Sequence, residues 1–497
     1  MDIAKILKGS FLNIGFQIVP VVFAIVMVPI TIKLYGIEQF ALFTLAITQV
    51  LLFNYLNFGV AQSTNKELAR LKHEEETKIN QLFWSGFFIM SLIGLSLSVA
   101  FLIGSDILIE SLVSKTPSLY NLAEKMIVTI GLFSPLFLLI IFLRSCLESQ
   151  LLFHITASNR AILNSVIFLS PIAAFYFDQG IEFSIMIILI IHILSVLVLF
   201  IYNCKHLNLK LPAFNCSVMK RLMSSGAWMT IVSLASLVFY YIDRYVLGIM
   251  AGLEQVSYYV AAYDVITRVS ILYGSAMAAF FPAFSYWYKH EKWYEFREAF
   301  RFIFGGIWVI IGIITGIVII FAYDILQLWI NEDFAIHSSN LLRIIAVGVL
   351  FNAIGIVPLR ALYAINEEKV VAQYYLVQSI VYAPILIVLI QYFGAVGAAY
   401  SYAARTILEV AVLFLLLIKK EANFQQLLKS SSEGKMIVLL IFLWIFCAVL
   451  LLMVDSLFVR IGGSITLLAL TLMWKYKVLF QFQRFKDIVR YNKEVKK

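Results

Sequence analysis

Apolar side chains run through this sequence in long blocks separated by short polar segments. The blocks fall at 11–34, 40–60, 81–104, 126–146, 161–177, 183–203, 226–250, 257–286, 302–323, 341–363, 370–391, 395–418, 436–454 and 457–474. A helix needs about 20 mostly apolar residues to cross the hydrocarbon core of a bilayer, and the blocks are of that length. The pattern predicts an all-α integral membrane protein with 14 transmembrane helices. The longest outward connection, 105–121, is too short to fold alone, because independent domains begin near about 50 residues. Function is therefore expected within the helices.

Two turns repeat. The first hairpin turns through Tyr35-Gly36-Ile37-Glu38-Gln39-Phe40, and the seventh block turns into the eighth through Ala251-Gly252-Leu253-Glu254-Gln255-Val256. At the same offset, Tyr176-Phe177 after the fifth block matches Tyr392-Phe393 after the eleventh. The spacing predicts two repeated six-helix halves, an N-terminal lobe at 1–210 and a C-terminal lobe at 211–420. Two further helices and a basic tail follow at 421–497. Both halves start on the same side and hold an even number of spans, so the repeats are parallel. Repeats of this kind place a substrate path between the halves near mid-membrane. A proline inside a helix removes a backbone hydrogen bond and kinks the rod. Pro20, deep in the first block, is the candidate hinge.

Composition narrows the class. Hydrophobic residues make up 62%, charged residues 13%, and the mean hydropathy is +0.93, against about 45–50% and 25% in soluble globules. A large soluble core is excluded. The formal charge of +9 follows topology, because Lys and Arg collect on alternate connections. With the N-terminus inside, the outer side holds only Lys33, Lys115, Lys125, Arg343 and Arg460. Basic loops stay cytoplasmic, so both termini are expected inside, which requires an even number of crossings. The charge then calls for no nucleic-acid partner. The tail from 475 and the Tyr286-Trp287-Tyr288 stretch read as anchors to membrane lipids. The first block is too long for the apolar region of a cleaved signal and is expected to remain. The four cysteines lie in or near helices or on the reducing side. The histidines lack metal-ligand spacing and no phosphate-binding glycine loop occurs, so neither cofactor nor ATP hydrolysis is expected.

Ionisable groups inside the spans carry the candidate chemistry, since each costs about 2.5–3.5 kcal/mol to insert and so faces a cavity or a partner. Asp243 and Arg244 lie late in the seventh block, Asp264 and Arg268 in the eighth, and Arg405 and Glu409 in the twelfth. Lys33 stands at the outer mouth of the first and His192 midway along the sixth. One reading makes the acid–base pairs structural clamps. The other gives Lys33, Arg244, Arg268 and Arg405 to an anionic substrate, because a guanidinium fork matches phosphate oxygens. It gives Asp243, Asp264 or Glu409 to a coupled proton or sodium ion. His192 is expected to donate a hydrogen bond in helix packing. Asn54, Asn57, Asn352 and Gln378 suit helix bridging or sugar hydroxyls.

Fourteen spans in a 6 + 6 + 2 order, the repeated outward G-x-E-Q-[FV] turn, and the late Tyr241-Ile242-Asp243-Arg244 of the seventh span resemble the Wzx-type polysaccharide flippases. These belong to the multidrug, oligosaccharidyl-lipid and polysaccharide exporter superfamily. The resemblance covers essentially the whole chain. It implies movement of undecaprenyl-pyrophosphate-linked oligosaccharide to the outer leaflet of a bacterial inner membrane, for surface polysaccharides such as O-antigen or capsule. It also implies an ion gradient as drive, and a polysaccharide polymerase and chain-length regulator as neighbours. Here acids and bases alternate, where relatives have a purely basic lining. Lipid II flippases and drug or cation antiporters of the superfamily are the alternative transporters. A membrane glycan polymerase or ligase is the alternative enzyme, and it would need a large outward loop that this sequence lacks.

Overall fold

The computed structural model describes residues 3–420 apart from 54, 57–58, 72–75 and 226. The expected spans at 436–454 and 457–474, the basic tail, Asn54 and Asn57 lie outside the described residues. The described chain is helical: α1 (Ile3–Tyr35), α2 (Ile37–Phe53), α3 (Val60–Leu68), α4 (Glu76–Leu112), α5 (Tyr120–Leu132), α6 (Ser134–Ser149), α7 (Phe153–Tyr176) and α8 (Phe183–Leu207). Then come α9 (Cys216–Ser225), α10 (Ala227–Tyr240), α11 (Ile242–Ala251), α12 (Leu253–Thr267), α13 (Ser270–Lys289), α14 (Trp293–Ile320), α15 (Ala322–Trp329), α16 (Glu332–Ala364) and α17 (Glu368–Lys420). The first twelve apolar blocks fall on α1, α2, α4, α5 with α6, α7, α8, α10 with α11, α12 with α13, α14, α16 and the two arms of α17. Among the described residues, 7 helices are long and apolar enough to cross a membrane, and α5 with α6 form a bent candidate.

The repeated turns share one backbone construction. Gly36 and Gly252 both adopt positive φ, at 83° and 100°, a region that glycine enters without steric penalty. Each is followed by a helix with glutamate in its first turn, Glu38 and Glu254, where a carboxylate favours the helix dipole. The second pair of matches is equally alike, because Tyr176-Phe177 leads into Asp178 at φ 53° and Tyr392-Phe393 into Gly394 at φ 56°. Gly394 is the point at which α17 breaks into two arms.

The described residues pack as two compact units, one within Met1–Val260 and Ala372–Ala398, the other within Ala261–Val371 and the second arm of α17. In the first unit α1 lies along α7, α4 against α5 and α6, and α8 against α6 and α7. α8 has the reverse of a soluble helix's faces. His192, Ser195 and Asn203 are buried, while Ile190, Leu194, Leu197 and Ile201 are exposed. Such a face suits contact with lipid, and a polar group in hydrocarbon must find a protein partner. Asn203 finds one by donating to the carbonyls of Leu143 and Leu199 at 3.0 and 2.9 Å.

Broken helices are patched by hydroxyls. α5 and α6 meet at a 43° bend where Pro135 opens α6 without a backbone donor. Ser98 donates to the Leu132 carbonyl at 2.8 Å, and Ser134 donates to the Gly94 carbonyl at 2.9 Å. In α7, Pro171 supplies no N–H to the carbonyl of Ile167, and the Ser170 hydroxyl takes that place at 3.3 Å. The Tyr35 hydroxyl at the end of α1 donates to the Pro171 carbonyl at 3.0 Å, tying α1 to α7 at that proline.

In the second unit α16 is the buried rod, with α13, α14 and α15 packed on it. Asn331 caps its N-terminus by accepting from the Phe334 N–H at 2.9 Å. Tyr273 donates to Asn352 Oδ1 at 2.8 Å, and Phe284 stacks on Phe296 with centroids 4.8 Å apart.

The close approach at the bend gives a direct test. A Cβ on Gly94 would lie 2.4 Å from the Pro135 backbone, whereas one on Gly104 of the same helix would meet nothing within 4 Å. Gly94→Ala should cost about 1–3 kcal/mol through overpacking, read as a lower thermal unfolding midpoint in detergent. Gly104→Ala should stay near wild type, and equal midpoints for the two variants would refute the packing at the bend.

Candidate functional site

The first unit holds a half-open cavity of about 430 Å³. Its walls come from the end of α2 (Val50, Leu51), the turn residue Tyr55, the start of α3 (Ala61, Gln62), and the facing sides of α6, α7 and α8. Tyr241, at the break between α10 and α11, closes another side. Apolar walls from Phe137, Ile140 and Ile167 surround a polar floor of Arg144, Glu148, Arg160, Asn164 and His192.

Sequence-local and long-range forces set this floor differently. Arg144 and Glu148 stand one turn apart on α6, so helical geometry alone puts them on one face. Arg160 comes from the second turn of α7, and the short connection between α6 and α7 folds it back onto Glu148. Arg160 Nη2 donates to Glu148 Oε1 at 2.8 Å, with the pair partly open to solvent. Arg144 Nε donates to Asn159 Oδ1 at 2.7 Å, and Asn159 Nδ2 donates to Ser195 Oγ at 2.6 Å. Among the described residues, neither terminal nitrogen of Arg144 has a hydrogen-bond acceptor. His192 Nδ1 faces the Ile188 carbonyl at 2.7 Å, which makes that nitrogen the donor, and its ring stands edge-on to Phe137. The Tyr55 and Tyr241 rings lie 5.7 Å apart in the wall.

Beside this cavity lies the first of the sequence-predicted charge pairs. Asp243 occupies the first turn of α11, where its Oδ1 accepts the Arg244 N–H at 2.9 Å. Its Oδ2 accepts from the Tyr259 hydroxyl of α12. The Arg244 guanidinium reaches Thr48 Oγ1 at 3.3 Å and lies 6.0 Å from the centre of the Tyr241 ring. Both side chains are buried, at 2% and 5% exposure. The neighbouring Tyr245 hydroxyl donates to the Leu45 carbonyl at 3.0 Å, so α11 is fastened to α2 at two points.

In the second unit, Arg405 and Glu409 form a buried ion pair at 2.9 Å on the second arm of α17. Arg405 also lies 5.5 Å from the centre of the Tyr402 ring, whose edge contacts Tyr263 of α12. Gly348 of α16 admits this packing, since a Cβ there would come within 2.5 Å of the Tyr402 ring. Asp264 is half-buried on α12, but the helix ends at Thr267, so Arg268, also half-buried, sits in the turn that opens α13. Lys33 is exposed in the last turn of α1, and Pro20 is buried within the same helix.

Arg144, Glu148 and Arg160 are not among the residues that the sequence alone marks for the site. One signal was present: the Arg144–Glu148 spacing of one helical turn, with a third charge just beyond a short connection. Nothing in the sequence said that α2, α3 and α8 would leave a space beside those residues.

Comparison with known proteins agrees with this architecture. The chain is 26% identical over 416 residues to a Shigella flexneri protein named "Putative O-antigen transporter", covering 82% of this chain and 97% of that one. Among solved structures, the lipid II flippase MurJ in an inward closed conformation superposes with a TM-score of 0.70 at 15% identity, over 96% of this chain and 99% of the other. An inward-facing multidrug resistance MATE family transporter of the MOP superfamily superposes at 0.66 with 14% identity, over 86% and 96% of the two chains. The two superpositions establish a shared fold. The sequence pattern of the family described as polysaccharide biosynthesis protein matches residues 6–287, more than half of the chain, and the chain belongs to that family.

Proposed function

We propose that this protein is a flippase that carries undecaprenyl-pyrophosphate-linked oligosaccharide units from the inner to the outer leaflet of a bacterial inner membrane, for surface polysaccharide assembly. The observation that carries this reading is the relation to the O-antigen transporter of Shigella flexneri along nearly its whole length, within a polysaccharide biosynthesis family. Charged groups buried inside helices support it, because a scaffold would not need them. The protein acts by transport rather than by catalysis, with both termini cytoplasmic. A polysaccharide polymerase and a chain-length regulator are its expected neighbours.

In this reading the lobes at 1–210 and 211–420 rock about the path between them. Lys33, Arg244, Arg268 and Arg405 attract the pyrophosphate. Asp243, Asp264 or Glu409 exchanges a proton or sodium ion, and Pro20 eases bending of α1. The hydrogen bonds on Asp243 from Tyr259 and the Arg244 N–H support a carboxylate whose charge state matters to its surroundings.

The reading is tested by loss of export with the protein still in place. Arg268→Ala and Arg405→Ala should each lower glycan export by about tenfold or more, the scale of a lost charged hydrogen bond, while membrane levels persist. Full export by both variants would remove the assigned roles. In proteoliposomes, Asp243→Asn should abolish the response of transport to an imposed proton or sodium gradient, and an unchanged response would take Asp243 off the list.

The Arg405–Glu409 pair should break asymmetrically. Glu409→Ala takes the ion-pair carboxylate from a buried guanidinium that cannot shed its charge, whereas Arg405→Ala removes that buried charge itself. Glu409→Ala should therefore lose about 3–5 kcal/mol and leave far less folded protein in detergent than Arg405→Ala, as measured by size-exclusion chromatography. Equal yields would contradict this.

A further inference from the structure

We propose that the cavity between α2, α3, α6, α7 and α8 is a binding site for a phosphate-bearing anion, with Arg144 and Arg160 as its ligands and Glu148 as an internal carboxylate that the anion displaces. The identification of that anion as the headgroup of a lipid-linked glycan rests on the flippase reading; the anion site itself does not.

The charges lining the cavity make the case. Two guanidiniums face one carboxylate, so the floor keeps a net positive charge. Arg160 is held by Glu148 at 2.8 Å. Arg144 is held differently, through its Nε alone, by an Asn159 that Ser195 fixes in turn. That bond sets the plane of the guanidinium and leaves its terminal fork for an outside acceptor, the arrangement that suits paired phosphate oxygens. Gln62 contributes a buried Oε1 that accepts no hydrogen bond among the described residues, a place for a sugar hydroxyl to donate.

Size restricts the ligand. Ligand pockets for drug-sized molecules run about 300–1,000 Å³, so a half-open cavity of 430 Å³ has room for a pyrophosphate with about one sugar, and a longer glycan would extend out of its mouth. The Tyr55 and Tyr241 rings offer apolar faces beside the charged floor. The floor lies at the α6–α7 connection, the side that the charge pattern of the sequence assigns to the cytoplasm. An anion arriving from that leaflet would exchange with Glu148 for Arg160 and engage the open fork of Arg144. The exchange is ionic, and no covalent bond changes.

The test uses the purified full chain in lipid nanodiscs, titrated calorimetrically with sodium pyrophosphate and, separately, with a short-chain prenyl pyrophosphate. Glu148→Gln should bind either probe about twofold to fivefold more tightly, the scale of removing one partly exposed ionic competitor. Arg160→Gln and Arg144→Gln should each bind at least about tenfold more weakly. Tighter binding of the prenyl probe than of pyrophosphate marks a lipid headgroup as the ligand, and equal binding marks free phosphate groups. Unchanged affinity in Glu148→Gln would overturn the displacement, and unchanged affinity in both arginine variants would overturn the site.

A measurement on the wild-type chain guards against variants that fail to fold. Phenylglyoxal modification of Arg144 and Arg160, followed by peptide mass spectrometry, should slow severalfold when pyrophosphate is present, and no protection would defeat the proposal. If the anion binds as described while proteoliposomes move no lipid-linked glycan, the flippase reading falls and the site stands. If glycan moves without anion binding here, the reverse holds.

Discussion

In hydrocarbon no water is at hand to accept or donate a hydrogen bond, so each backbone group that a bend releases must be met by the protein itself. That requirement organises the first unit. The bend at Pro135 and the proline inside α7 are each accompanied by serines whose hydroxyls reach released or neighbouring carbonyls, and Tyr35 adds a bond from another helix. The same economy sends Asn203 and His192 to carbonyls instead of to solvent. Polar residues in these spans thus fall into two groups: those that complete the backbone, and those left over for other work.

Several of the residues left over are charged. Asp243 and Arg244 are fixed by Tyr259 and Thr48, Arg405 by Glu409 and the Tyr402 ring, and Arg160 by Glu148. Arg144 differs in being held, among the described residues, by a neutral amide at its Nε alone. Where neighbours are this economical with donors, a guanidinium fork facing a cavity is the feature that points toward a ligand.

Much of the fold was legible in one dimension. An apolar block of spanning length is a local property of the sequence, and the first twelve blocks fall on helices or on helix pairs. The repeated turns were also legible, because Gly36 and Gly252 answer to the same steric rule at both places. The Arg405–Glu409 pair could be anticipated from helical spacing alone. The partners of Asp243 could not, since Thr48 and Tyr259 reach it and its neighbour from other helices. The end of α12 before Arg268 was hidden too, in an apolar stretch that runs on without a break in hydropathy. The cavity at Arg144 depends on what several distant segments leave unfilled, and no local pattern encodes empty space.

The reversed faces of α8 carry a consequence for how the protein can exist at all. With Ile190, Leu194, Leu197 and Ile201 turned outward, its surrounding amphiphile is a structural component as much as any side chain. Stripped of that belt, neighbouring molecules would satisfy the bare stripe with one another, so handling losses should track the thickness and chemistry of the surrounding film before they track temperature.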